Sequence, residues 1–404
     1  MREHNKPEKM MEKETSKRIV YVDNNATTSI AFEVRDAMMP YFNDKYANPS
    51  SMHTFGGCLS KDIEAAREKV ARIIGASTQE IVFTSCGTES DNAAIFGTLS
   101  SYPDRKHVIT TRIEHPAVLI CGEYLQRHGY DVTFLSVDSY GRIDPEELTK
   151  SMRKDTVIVS IMWANNEVGN IYPIEELGRI VKSFDSVFHV DAVQAAGKIP
   201  INLKNSSVDL LSLSGHKLHA PKGVGVLYIK RGTRFRPYIM GGHQERGRRA
   251  GTENVPYIVG LGVACELAMK NINDENTRVK TMRDNLEKRI LDEIPSSYLN
   301  GDPVNRLPNT TNISFEFIEG EAILLMLDRV GICASSGSAC TSGSLEPSHV
   351  LRAMGVPFTR AHGSIRFSLS RYNTMDEMDY ILEHLKPAVK RLREMSPGVE
   401  SFAR

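Results

Sequence analysis

Residues 208–217, Val208-Asp209-Leu210-Leu211-Ser212-Leu213-Ser214-Gly215-His216-Lys217, run an apolar segment straight into a turn that carries a histidine and a lysine. A short apolar run closed by glycine suits a strand buried on both faces, as in a parallel sheet covered by helices. In such open α/β sheets ligands bind beyond the carboxyl ends of the strands. Lys217 is therefore delivered where a site is expected.

Working outward, similar strands are expected at Ile81 to Thr84, His107 to Thr111, Asp131 to Val137, Thr156 to Met162, Val187 to Val190 and Val224 to Ile229. Amphipathic stretches lie between them, at Lys61 to Ile74, Ala117 to His128, Pro145 to Met152 and Ile174 to Phe184. The alternation predicts an α/β fold with a mostly parallel seven-stranded sheet and crossover helices. The texture changes after Val255. A long helix is expected over Ile258 to Leu291, followed by strands near Thr311 to Phe317 and Ser364 to Ser370. Helices at Glu321 to Asp328, Ser348 to Met354 and Met375 to Met395 complete a smaller C-terminal α+β domain. The expected division is a disordered polar tail at 1–17, a large domain at 28–272, and a small domain made of 18–27 and 273–404.

The chain has 404 residues, with 50 Lys plus Arg balancing 50 Asp plus Glu. Zero net charge removes the electrostatic footprint of a dedicated nucleic-acid binder. Its 6 cysteines are too sparse for a disulfide scaffold and none has zinc-ligand spacing, which points to a reducing, cytoplasmic setting. No membrane span is expected, and the first residues mix acids and bases where a signal peptide needs an apolar region.

The polar residues after each expected strand carry the chemistry. Ser85-Cys86-Gly87-Thr88-Glu89-Ser90 is a small-residue turn opening into a helix, which offers free N–H groups to a phosphate but also reads as an ordinary helix cap. Asp191 and Gln194 follow the strand Val187 to Val190, on the same sheet edge as Lys217. Asp191 and Lys217 alone could form a plain buried ion pair. With a phosphate cradle beside them they suggest pyridoxal 5′-phosphate, the lysine forming its Schiff base and the aspartate holding the pyridine nitrogen protonated.

The segments TSCGTESDN, EHPAV, MWANNEVG, HVDAVQAAGK, SGHKLHAPKGVG, GGHQERGRRAGTEN and ASSGSACTSGS together resemble the cysteine desulfurases, in the class-V aminotransferase group of fold-type I pyridoxal-phosphate enzymes. The resemblance runs from Tyr21 to the last helix. It is strongest to the nitrogen-fixation type, through DNNATT near the start and the short C-terminus. It implies that Lys217 links the cofactor and shuttles the Cα proton. Asp191 would make the ring an electron sink, Gln194 would bond its phenolic oxygen, and His115 would stack on it. Gly87, Thr88, Ser214 and His216 would hold the phosphate, with Thr252 reaching across from a partner subunit and so implying a homodimer. Arg366 would pair with the substrate carboxylate beside Asn25 and Asn165, through the bidentate geometry of a guanidinium.

An electron sink does not by itself fix the reaction. Cys340 narrows it. It lies in a run of small residues, Ser335 to Ser344, that cannot pack a core and is expected to be mobile. A mobile thiol suits a sulfur relay: it would take sulfur from L-cysteine as a persulfide, release alanine, and pass the sulfur to an iron-sulfur scaffold or other acceptor. Nitrogenase maturation is the implied destination, and a transient iron-sulfur contact at Cys340 is the one metal role left open. A free thiol is largely protonated at neutral pH, so His115 or another base near the cofactor is expected to remove the proton. Cys58, Cys86, Cys121, Cys265 and Cys333 are assigned to packing, and the cluster Arg246, Arg248 and Arg249 to an interface loop around Thr252. Competing readings are a selenocysteine lyase, a transaminase, and a cofactor-bearing scaffold that no longer turns over.

Overall fold

A computed structural model describes residues 18–336 and 347–395. The tail 1–17 and Cys340 lie outside the described residues. Seven strands, Ile81–Thr84 (β1), His107–Thr111 (β2), Asp131–Leu135 (β3), Thr156–Met162 (β4), Val187–Asp191 (β5), Leu210–Ser214 (β6) and Gly225–Ile229 (β7), form one sheet in the order β1-β7-β6-β5-β4-β2-β3. Every pairing is parallel except the two made by β7. The seven-stranded, mostly parallel sheet is as expected.

Strand periodicity sorts the side chains onto two buried faces. Ile81, Phe83, Ile109, Val159, Leu211 and Val226 join one apolar cluster. Their sequence neighbours Val82, Val108, Ile158, Leu210 and Leu227 join another on the opposite side. Burial on both faces explains why these strands are near-continuous apolar runs rather than alternating ones. The parallel strands end together: Met162 pairs with Asp191 and Asp191 with Ser212, while Ser214 at the end of β6 pairs with Gly225, where the antiparallel β7 begins.

Helices Thr54–Ile73 (α1), Gly87–Leu99 (α2) and Pro116–Arg127 (α3) flank the sheet. α1 starts seven residues before the expected Lys61. Its first turn contains Gly56 and Gly57, poor helix formers that mask the start, and the His53 side chain stabilises it by accepting the Gly56 N–H at 3.0 Å.

The long expected helix is present as Val255–Asp274 (α4) and Lys280–Glu293 (α5), joined by one π-helical turn, Glu275–Val279. Contrary to expectation, this continuous helix includes a stretch apolar and long enough to cross a membrane. Here its apolar residues are core: Ile258, Leu261, Ala264, Cys265 and Ala268 are buried against the sheet and α1. Gly262 permits that approach, because a Cβ there would lie 2.8 Å from the Ala66 Cα.

The smaller sheet is antiparallel, with Ser297–Leu299 (β8), Thr310–Phe315 (β9) and Ser364–Ser368 (β10) in the order β10-β9-β8. It has its own apolar cluster, closed by the helix Met375–Met395 (α6). An unexpected two-residue parallel pairing of Val20–Tyr21 with Ile332–Cys333 ties the N-terminal segment into this part of the chain. The thiols correct one expectation: Cys121 and Cys265 are buried, but Cys58 is exposed and packs no core.

Candidate active site

The carboxyl ends of β1, β4, β5 and β6, with the turn after β2, open into a cavity of about 470 Å³. It is lined by Gly87, Thr88, His115, Asp191, Gln194, Ser214, His216 and Lys217 from the large sheet edge, together with Asn25 and Arg366. Ten of the residues singled out in the sequence thus meet in one place, although they span the chain from Asn25 to Arg366.

Lys217 caps the turn after β6. Its Nζ donates to the backbone oxygens of Asn25, at 2.5 Å, and Ala26, at 2.7 Å. Among the described residues no ion pair joins it to Asp191, so the plain salt-bridge alternative does not hold. Asp191 ends β5 and accepts the Val193 N–H at 2.9 Å. Burial pushes its carboxyl up to about 6, against the hydrogen bond from Val193 and the charge of Lys217. A buried carboxylate in that condition is suited to a cationic partner entering the cavity.

The first N–H groups of α2 have no intrahelical acceptor and sit beside Ser214 and His216. Cys86 is the N-cap, its Sγ accepting the Glu89 N–H at 3.4 Å. Gly87 is required by proximity, since a Cβ there would come within 2.9 Å of Val193 Cγ2 and 3.4 Å of Ser214 Cβ. A helix N-terminus that lines a cavity without a side chain in the way can act as an anion cradle. Burial, with Lys217 next, pushes His216 down to about 4.

His115 is the N-cap of α3, and its Nδ1 accepts the Ala117 N–H at 3.1 Å, which assigns the ring proton to Nε2. Burial, then the charges of Lys217 and His349, push it down to about 4. The ring is neutral and a weak base, which counts against it as the thiol's proton acceptor. Arg366 is a buried rather than a surface arginine: Nη2 donates to Asp23 Oδ1 at 2.7 Å, Nη1 to the Asn166 oxygen at 2.9 Å, and Nε has no partner.

Two expected residues lie outside the cavity lining, and a third lines it with its amide already engaged. Asn165 is fully buried outside the cavity lining, its amide donating to the Ile113 oxygen at 3.0 Å and accepting the N–H groups of Glu167 and Val168; Asn166 lines the cavity instead. Asn25 lines the cavity, but its amide is engaged by Thr310, Asn166 and Asn309. Thr252 is exposed and does not line its own chain's cavity. The neighbouring arginines serve their own subunit: Arg249 pairs with Glu89 at 2.9 Å, and Arg246 and Arg248 donate to the Thr78 and Gln79 oxygens.

Two lining carboxyls escaped sequence reasoning. Asp91 is fully buried and lies one turn along α2 from Gly87; its Oδ1 has no hydrogen bond among the described residues but sits 3.6 Å from His189 Nε2, and burial and the nearby Asp191 push it well up. Its i, i+4 spacing from Gly87 was the available signal. Glu167 accepts the Ser348 hydroxyl proton in a hydrogen bond at Oε2, and burial raises it to about 7. Both ends of the segment bearing Cys340 are fixed at this cavity: Ser335 bridges to the backbone of Arg366 on one side, and Ser348 bonds Glu167 on the other.

A lysine, an aspartate and a helix-borne anion cradle at the switch edge of an α/β sheet define a pyridoxal-phosphate enzyme of fold type I. Residues 20–381 match the family described as aminotransferase class-V, and the chain belongs to that family. It is 59% identical over 379 residues to a "Cysteine desulfurase" of Nostoc sp., covering 94% of this chain and 95% of that protein. It is 58% identical to "Cysteine desulfurase NifS" of Azotobacter vinelandii, covering 94% of each. A solved "NIFS-LIKE PROTEIN" superposes with a TM-score of 0.86 at 41% identity, over 94% of this chain and 99% of that one. A structure titled "SspA in complex with cysteine" superposes with a TM-score of 0.78 at 36% identity, over 88% and 99%. Pyridoxal 5′-phosphate is the cofactor of this enzyme class, and the Gly87 cradle, the buried Asp191 and the cavity volume fit it.

Proposed function

We propose that this enzyme is a cysteine desulfurase that takes sulfur from L-cysteine, releases L-alanine, and carries the sulfur as a persulfide on Cys340. The observation that supports it is one cavity where Lys217, Asp191, Gln194 and Arg366 meet, with the flanks of the Cys340 segment fixed at its wall. Bound there, pyridoxal phosphate supplies an electron sink for bond breaking at the substrate Cα. Asp191 would hold the ring nitrogen's proton, Gln194 would donate to the ring oxygen, and Gly87, Thr88, Ser214 and His216 would hold the phosphate. Arg366, steadied by Asp23, offers its guanidinium to the substrate carboxylate. Lys217, the linking amine, takes the Cα proton. The Cys340 thiolate would then attack the substrate sulfur: an S–S bond forms, the carbon–sulfur bond breaks, the carbon that gains the electron pair is protonated, and Lys217 returns the proton to Cα, giving alanine.

In this reading the enzyme is a cytoplasmic homodimer, Thr252 completing the partner's phosphate site. The large domain comprises 28–272, and residues 18–27 with 273–404 form the small one. The sulfur passes to an iron-sulfur scaffold serving nitrogenase maturation, which faster transfer to a dedicated than to a housekeeping scaffold would support.

Incubation with L-cysteine is expected to yield alanine in proportion to persulfide. Cys340→Ala is expected to keep the cofactor's visible absorbance and lose sulfur release, and Lys217→Ala to lose both activity and the lysine-linked absorbance. Cofactor-loaded protein that makes no alanine would overturn the proposal.

A further inference from the structure

Lys198 lies just past Gln194 in the turn after β5, and its ammonium is buried at 8% exposure. Its Nζ donates to Gln194 Oε1 at 2.9 Å and to the Gln194 backbone oxygen at 3.2 Å. An ammonium has donors and no acceptor, so it can face only the oxygen end of an amide. The Gln194 N–H group is thereby turned the other way, where it donates to the Asn25 oxygen at 3.0 Å, the same oxygen that accepts Lys217 Nζ. One amide hydrogen of Gln194, which lines the large cavity, is left over. Lys198 itself lines a separate space of about 20 Å³ with Glu275 and Arg371, large enough for one water. Glu275 opens the π-helical turn between α4 and α5, and its Oε2 has no hydrogen-bond partner.

We propose that Lys198 is a positioning residue: it locks the Gln194 amide so that an N–H, and never the carbonyl oxygen, meets the cofactor's ring oxygen. Without the clamp, the amide is free to turn its oxygen toward an anionic ring oxygen and repel it. Glu275 opposes the loss of the lysine's charge: burial pushes its own carboxyl up to about 7, and the charge of Lys198 acts against that shift. Burial pushes Lys198 down to about 8, with Glu275 opposing that shift and Arg366 adding to it. The inference rests on pyridoxal phosphate occupying the large cavity as proposed above. The charged and titratable groups around that cofactor, Asp91, His115, Asp191, His216, Lys217 and Arg366, are common to wild type and variants.

The test uses the whole protein, stripped of cofactor and reloaded with pyridoxal 5′-phosphate. Lys198→Met keeps the stem and removes the donor; Lys198→Gln restores a neutral donor. The dissociation constant for pyridoxal phosphate is expected to rise about tenfold in Lys198→Met, and the pH midpoint of the bound cofactor's visible absorption to move up by about one unit. Lys198→Gln is expected to fall between wild type and Lys198→Met in both. A folded Lys198→Met with a lowered melting temperature but unchanged affinity and midpoint would show a merely structural role and overturn the inference. If Lys198→Met does not fold, an unmoved midpoint in Lys198→Gln overturns it equally. Wild-type protein that binds no pyridoxal phosphate would instead defeat the function on which the inference rests.

Discussion

Burial acts in opposite directions on two titratable side chains that line the cavity. It keeps His115 neutral by pushing the imidazole down to about 4, and holds Glu167 in its protonated form up to about 7, where the nearby Arg366 charge partly opposes it. Glu167 therefore loses its proton as pH rises through about 7 and becomes a base above that point, while His115 does not titrate there. Single-turnover persulfide formation is expected to rise with pH through about 7 in wild type. In Glu167→Gln the rise is expected to move to the range of a free thiol, near ~8.5. His115→Ala is expected to lower the rate without moving the midpoint; a midpoint that moves with His115 and not with Glu167 would make His115, rather than Glu167, the group that takes the Cys340 proton. Lys217 and Asp191 were legible in the sequence because Asp191 ends an apolar strand and Lys217 closes the short turn that follows one. Glu167 was not, because Asn-Asn-Glu reads as an ordinary polar loop. Its hydrogen-bond donor is Ser348, 181 residues away, which no local pattern encodes.

The start of α2 works as a unit with the turns that follow β5 and β6. Any side chain at Gly87 would press on Val193 and Ser214 together, and the Val193 N–H is the group that holds Asp191. Gly87→Ala should therefore disturb the phosphate cradle and the ring-nitrogen partner at once. The dissociation constant for pyridoxal phosphate is expected to rise about tenfold, some 1.4 kcal/mol, with the folded structure retained. Fluorescence titration of the stripped protein checks it, and unaltered affinity would mean that the cradle lies elsewhere. β1, β2 and β4 match the sequence-based expectation because β-branched runs bounded by polar turns leave no alternative period. The two-residue pairing of Val20–Tyr21 with Ile332–Cys333 carries no periodicity. The π-helical turn at Glu275–Val279 is likewise hidden within an uninterrupted helical pattern.

Across the whole molecule, Thr252, which is exposed, is the one proposed phosphate ligand that does not line its own chain's cavity, which is the arrangement expected if it serves a second copy. No sequence pattern could have separated a ligand in its own subunit from one in the partner, since both are a threonine in a glycine-rich loop. The two cases predict different behaviour in mixed dimers. Lys217→Ala and Thr252→Ala homodimers should each be impaired, the first through the linking amine and the second through phosphate binding. In a heterodimer of the two, the site of the Lys217→Ala subunit is dead. The site of the Thr252→Ala subunit keeps its own Lys217 and receives an intact Thr252 from its partner. Activity should return to about half the wild-type value, because one of the two sites is whole. If Thr252 instead acts within its own subunit, each site retains one defect and mixing restores nothing. Tagging the two variants differently, isolating the heterodimer and measuring alanine formation distinguishes the outcomes, and sedimentation of the wild type at the mass of a single chain would remove the premise.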